Sequence, residues 1–248
     1  MECSRKDIKV LYISYNSISD PLLVSQGLSY IESLSNEYSF TLLTFESIYR
    51  DNFLSLRNRL KEKRINWIYY TICSNSFLPF KIFNYFLNSL RLAKVLLKDK
   101  EKFSIVHIRG YSSMFTFILS YLLLKILSPF KKIPKVVFDL RNPTMDEIID
   151  SCRFGVYVKF FLQQIEKIMF KLSSALIVVS DKFRDYIFHK LKTFNIYNRQ
   201  IFVVYNNVNL EQFLLTDKVD NRDSEHLRLV YIGVLDKYHP LEPMLMFF

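Results

Sequence analysis

Glycine is scarce in this chain, with four in 248 residues, and no glycine stands where a phosphate-binding loop would need it. No Gly-x-Gly-x-x-Gly follows the first apolar strand, which excludes the dinucleotide fingerprint, and no Gly-x-x-x-x-Gly-Lys-Ser/Thr occurs, which excludes a Walker loop. A Gly-x-Ser-x-Gly nucleophile elbow is missing too. Cysteine is nearly absent: Cys3, Cys73 and Cys152 are far apart and form no Cys-x-x-Cys pair, so neither a disulfide framework nor a zinc site is expected and a reducing cytoplasm suits the chain. The four histidines, His107, His189, His226 and His239, show no metal-ligand spacing, and no Asp-x-Asp pair closes a strand, so no protein-held metal is expected. The opening MECSRKDIKVLYISY has an apolar run of about six residues and no small-residue cleavage site, and it reads as a first strand, not a signal peptide.

What the chain does have is positive charge and apolar strands. The net charge is +10 and the pI about 9.4, which invites an anionic partner, although abundant Lys, Asn, Ile, Phe and Tyr also point to a general compositional bias. No RNP-like aromatic motif and no zinc spacing accompany the charge, so no nucleic-acid partner is expected. Basic residues recur on two predicted helices. One, residues 52–64, clusters Arg57, Arg59, Lys61, Lys63 and Arg64; the other, residues 80–97, interrupts its apolar stripe with Lys81, Arg91 and Lys94. The first reads chiefly as a solvated face, and the second equally as an ordinary outer helix or as a peripheral contact with an anionic bilayer. The apolar stretch 113–130 contains Lys125, directly follows a buried strand, and is predicted to be a core helix instead of a membrane span.

Short apolar strands alternate with helical stretches from residue 9 onward, the pattern of an α/β, Rossmann-like doubly wound parallel sheet. Strands are predicted at 9–14, 39–45, 65–72, 104–110, 135–140, 175–180 and 201–205, and Ser25 is expected to cap the first helix. Residues 1–215 form this first domain. The polar, aperiodic 216–226 is a linker, and 227–248 begins a second Rossmann-like domain with one strand and a helix stub that cannot bury its own apolar surface.

Each strand of the first domain ends in polar or small residues, and ligands of open parallel sheets sit beyond such carboxyl ends. KVVFDLRNP delivers Asp139 and Arg141, two apart and therefore on one side of the strand, followed by Asn142. SIVHIRG delivers His107 and Arg109. Arg109, Asp139 and Arg141 are candidate ligand contacts, with arginine forking onto phosphate or carboxylate, or else a mutual ion pair across neighbouring strands. His107 is read equally as a core histidine and as a catalytic one. Tyr15 and Gln26, in the loop and helix after the first strand, and Asn206 and Asn207, after the last, complete the candidates.

Five stretches in order, LYISYNSISDPLLVSQGLSYIESLS, SIVHIRGYSS, KVVFDLRNPTMDE, ALIVVSDKF with IFVVYNNVNLEQF, and LRLVYIGVLDKYHPLEPMLMFF, resemble the N-terminal half and first C-terminal elements of family 4 glycosyltransferases of the GT-B fold. The resemblance implies a retaining transferase that moves a sugar from a nucleotide-diphosphate donor to a cell-surface glycan or lipid-linked acceptor, with no cofactor beyond the donor and no metal. It implies acceptor binding on the first domain and donor binding chiefly on the second, at the cytoplasmic face of the membrane. YNNVNLEQF corresponds to the family's Pro-Asn-Gly-Val-Asp hinge strand, with Tyr205 in the proline place and Asn207 in the glycine place. Two departures stand out. Leu23, Val24 and Ser25 fill the loop where relatives carry a glycine, with Gly27 only after it, and Arg109 stands where many relatives carry histidine. The family's paired glutamates would lie beyond Phe248, and the alternative expectation is therefore a truncated, catalytically inactive binding module or a decayed gene product.

Overall fold

In the computed structural model, residues 8–46, 53–72, 78–98, 103–130, 134–151 and 155–206 are described. All belong to the first of two compact units, Met1–Asn209. The expectations for Asn207, the linker and the second-domain strand lie outside the described residues, as do Cys3, Cys73, Cys152, His226 and His239.

Seven strands form one parallel sheet: β1 Lys9–Ser14, β2 Ser39–Glu46, β3 Asn66–Thr71, β4 Ile105–Arg109, β5 Lys135–Asp139, β6 Ala175–Val178 and β7 Gln200–Val203. Their order is β3-β2-β1-β4-β5-β6-β7. The sheet grows outward from β1 to β3 and then returns to lay β4 on the other side of β1. The strand order therefore reverses between β1 and β4, the place where open α/β sheets bind ligands.

Side-chain alternation splits the core in two. Leu11, Ile13, Leu43, Phe45, Val106, Ile108, Val136, Phe138, Leu176 and Val178 look to one face and pack under the helices there. Val10, Tyr12, Phe40 and Leu42 look to the other. Fully burying one Leu or Ile of these strands contributes about 1.5–3 kcal/mol, so the inner strands hold the sheet together.

The first crossover differs from the expectation. Its helix starts at Pro21, not at Ser25: Asp20 caps it by accepting from Leu22 N at 2.8 Å, and Pro21 fits a first turn whose N–H has no intrahelical partner. Helix α1 Pro21–Leu23 runs into a π-helical turn, Val24–Leu28, and on into α2 Ser29–Leu34. Ser25 lies inside the run, its hydroxyl donating to Pro21 O at 2.8 Å. Gly27 is buried in the π turn, where a Cβ would stand 2.7 Å from Leu23 Cδ1 and 3.0 Å from Tyr12 Oη. Its glycine character thus lets the helix approach Tyr12 of β1. Gly27→Ala is expected to destabilise the domain by about 1–3 kcal/mol, the usual cost of overpacking; urea unfolding measures this, and an unchanged midpoint would mean that Leu23 and Tyr12 yield freely.

Helix α3 Phe53–Glu62 ends before Arg64, whose φ of 56° closes it. Part of its basic face is paired, since Arg59 Nε lies 2.6 Å from Glu32. Helix α4 Leu78–Leu97 packs on α5 Gly110–Leu127 through small residues: Ser120 donates to Ser89 O at 2.9 Å, and Ser89 to Thr116 O at 3.2 Å. Arg91 is no free surface cation; it donates to Thr71 O at 2.9 Å and covers the Tyr70 ring. By length and composition α5 could cross a membrane, yet here it is the crossover between β4 and β5, with Met114, Phe117 and Leu124 buried in the core. It begins without a loop because Gly110 adopts a φ of 75°, which side chains disfavour. Where 144–155 reads as a loop with a helical turn, α6 Thr144–Ser151 is a full helix with Asp146 and Glu147 in its first turn. Helices α7 Val156–Leu172 and α8 Asp181–Thr193, the latter capped by Ser180, complete the layer.

Candidate functional site

The site lies where β1, β4 and β5 end side by side. Register sets Tyr12 beside His107, Ser14 beside Arg109, and Arg109 beside Asp139. Period two then sends Tyr12, His107, Arg109 and Asp139 to the same face, the one that the π turn and α2 approach.

Asp139 is its centre, with no solvent exposure. One oxygen, Oδ2, accepts from Arg141 Nη2 at 2.7 Å and lies 3.3 Å from His107 Nε2. Burial alone would raise this carboxyl, but the hydrogen bond and charge of His107 and those of Arg141 outweigh it and hold its pKa below the ordinary 3.8. Arg141 is held at its other end too, Nη1 donating to Asn206 Oδ1 at 2.9 Å. Arg109 is anchored from the opposite wall: its Nη2 donates to Leu22 O at 3.2 Å and to Gln26 Oε1 at 2.9 Å. His107 stacks on the Tyr12 ring with centroids 4.5 Å apart.

Four polar atoms of this cluster are buried and make no hydrogen bond: Tyr12 Oη, Arg109 Nη1, Asp139 Oδ1 and Arg141 Nε. Burial raises the Tyr12 pKa above its ordinary value and the Asp139 charge adds to the rise, while Arg109 and Arg141 oppose it; Arg109 acts at close range without forming a well-aligned hydrogen bond. Tyr12 therefore stays a neutral phenol. Tyr30, from α2, is raised by burial and feels the same three charges. The arrangement offers a fixed cation, a free carboxylate oxygen and a histidine oriented by a carboxylate, a set suited to holding a polar substrate and its hydroxyl proton.

Of the residues singled out from the sequence, His107, Arg109, Asp139, Arg141, Gln26 and Asn206 come together here, and Arg141 does form the ion pair with Asp139. Asn207 is outside the described residues. Tyr15 is corrected: its ring turns to the opposite face, stacked on Tyr85 at 5.1 Å and against Phe45, and burial there has pushed its pKa up to about 12. It continues the Leu11 and Ile13 side of β1, the side that strand alternation gives it. Sequence reasoning missed Tyr12, which looks like core in an apolar strand; the available signal was its parity with Ser14. It also missed Glu46, buried at the tip of β2, which accepts from Ile18 N at 3.0 Å and Thr44 Oγ1 at 2.5 Å and from Ser17, and so ties down the loop leading to α1. Among the described residues no three potential ligands gather to hold a metal ion.

No protein-family model and no curated protein matches this sequence. Among solved structures, a UDP-glucosyltransferase from Polygonum tinctorium, in complex with 3,4-dichloroaniline, matches 82% of this chain and 52% of its own at 10% identity, with a TM-score of 0.52. A structure from E. coli described as trehalose-6-phosphate bound with UDP-2-fluoro glucose matches 82% of this chain and 50% of its own at 11% identity, with a TM-score of 0.51. The chain spans about half the length of these proteins. At such identity the likeness concerns architecture alone: the described domain has the α/β Rossmann-like fold found in GT-B glycosyltransferases.

Proposed function

We propose that this chain is the acceptor-binding part of a glycosyltransferase that uses a nucleotide-diphosphate sugar, with the Asp139 cluster as the acceptor end of the site. The observation that carries the reading is the gathering of Arg109, Asp139, Arg141 and His107 at the reversal of strand order, with buried polar atoms left unpaired there. The shared fold with a UDP-glucosyltransferase and with a structure holding UDP-2-fluoro glucose supports it, as does the order of the motifs resembling family 4.

In the proposed reaction the acceptor oxygen bonds to the anomeric carbon as the bond from that carbon to the diphosphate breaks. The acceptor attacks from the face that the diphosphate leaves and passes its proton to that departing diphosphate, so configuration is retained. Asp139 and His107 orient the acceptor hydroxyl, and Arg109, always charged, steadies negative charge at the rim. The acceptor is a cell-surface glycan precursor or a lipid-linked sugar, and the enzyme works at the cytoplasmic face of the membrane. Supporting that placement, α4 exposes Phe80, Ile82, Phe83 and Phe86 around Lys81.

The test is sugar transfer from UDP and GDP sugars by the full-length protein. Arg109→Ala and Asp139→Ala should each lower kcat/KM about a hundredfold or more, within the range for lost positioning and transition-state contacts. Unchanged rates in both variants would remove this cluster from the reaction. An inverted product would instead assign His107 as general base, and ligand binding without transfer would leave a binding module.

A further inference from the structure

We infer that the acceptor held at this edge is itself anionic: a hydroxylated sugar ring bearing a phosphate or carboxylate, its oxyanion seated between Arg109 and Tyr12 and a ring hydroxyl on Asp139. This rests on the proposal that the edge binds the acceptor.

Two observations carry it. The first is charge. Arg141 Nη2 lies 2.7 Å from Asp139 Oδ2, and Arg109 stands beside Asp139 where β4 and β5 pair, so two guanidinium groups flank one carboxylate. Two guanidinium groups against one carboxylate leave an excess of positive charge. The other buried carboxylate of this face, Glu46, is occupied by Ser17, Ile18 and Thr44. A buried excess cation is costly unless paired, and a ligand with one negative charge balances it.

The second is the pattern of unpaired atoms. Arg109 is 7% exposed, Tyr12 1% and Asp139 0%, yet Arg109 Nη1, Tyr12 Oη and Asp139 Oδ1 have no hydrogen-bond partner. Native interiors rarely leave such groups unsatisfied, and here they cluster. Two of the three donate or can donate, which suits oxyanion oxygens; the third only accepts, which suits a hydroxyl. Arg109 cannot swing away to find solvent, because its other amino group is fixed to Leu22 O and Gln26. It is a preorganised donor, and preorganised charge-assisted bonds discriminate strongly.

Calorimetric titration of the full chain with glucose, glucose 6-phosphate, glucuronic acid and inorganic phosphate tests the inference. One or both anionic sugars should bind at least about tenfold more tightly than glucose, the sugar phosphate and the uronic acid separating phosphate from carboxylate as the source of charge. Arg109→Gln should erase that gap, Arg109→Lys should keep part of it, and Tyr12→Phe should narrow it. The gap should also shrink with added salt in the unaltered protein, a readout that needs no variant to fold. Asp139→Asn should weaken every sugar but not inorganic phosphate. Equal binding of glucose and both anionic sugars, a gap insensitive to salt and to Arg109→Gln, or inorganic phosphate binding as tightly as the sugar phosphate would each overturn it. The outcomes separate from those of the transfer assay. Salt-sensitive binding of anionic sugars without transfer from any nucleotide sugar sinks the transferase proposal and leaves the anion site, whereas transfer to neutral acceptors at a rate insensitive to Arg109 does the reverse.

Discussion

Lys190→Met is expected to lower the stability of the domain by about 3–5 kcal/mol, the cost of breaking a buried ion pair from one side. Lys190 Nζ sits between two carboxylates, 2.7 and 2.6 Å from the oxygens of Asp146 and 2.7 Å from Glu166 Oε2. Glu166 has no exposure, and the Tyr111 hydroxyl donates to it at 2.7 Å. Burial already raises the Glu166 pKa above its ordinary 4.5, with Lys190 holding the rise in check. Without the ammonium, the buried Glu166 is left without its cation beside the partly exposed Asp146.

A carboxyl whose folded pKa is raised contributes stability that is full below pH 4.5 and is lost as pH rises through the folded value. The variant should therefore be worst at neutral and alkaline pH and recover as pH falls toward 4.5. In a domain of this size, each kcal/mol moves the melting temperature by about 2–4 °C, so a loss on the order of 10 °C is expected at neutral pH. Adding Glu166→Gln should restore much of it. A melting temperature within about 1 °C of the parent at neutral pH would show that the cluster is solvated and structurally idle.

The second large effect concerns Asp139. Asp139→Asn should reduce the proposed transfer by about a hundredfold, roughly 2.7 kcal/mol of transition-state stabilisation, because the amide oxygen can still serve Arg141 and His107 but the negative charge is lost and an NH2 donor replaces the free Oδ1 acceptor. Stability should change in a pH-dependent way. Burial pushes this carboxyl up, but His107 and Arg141 together hold it below 3.8. A depressed pKa contributes stability above pH 3.8 that is lost as pH falls through the folded value. The parent and Asp139→Asn should differ most at neutral pH and converge in acid. Urea unfolding at a series of pH values measures this, and parallel curves down to about pH 2 would mean that Asp139 gains nothing from its partners.

The parallel α/β architecture and the identity of most cluster residues are legible in the chain alone. Apolar runs too short for helices, separated by helical periods, admit few other folds, and the polar ends of those runs mark the rim. Asp139 and Arg141 share a side because a strand repeats every two residues, and the same rule places His107 with Arg109.

The rule does not say where a helix starts or which helix packs over a strand. Tyr15 keeps to the Leu11 and Ile13 side of β1, away from the cluster, as its parity requires. The start of α1 was misplaced because Asp20 and Ser25 are both good caps, and Pro21 with the π turn decided between them. Tyr12 became part of the site only when Gly27 let a helix come down on its hydroxyl.

The Lys190 cluster unites Tyr111, Asp146, Glu166 and Lys190 from four helices, across separations of 24 to 55 residues. No periodicity relates residues so far apart, and each alone looks like an ordinary polar position on a helix. Backbone periodicity is written along the chain and settles which side of a strand a residue takes. Which helices meet over that side, and which charges must therefore be shared, is settled only when the packed layers close and water leaves.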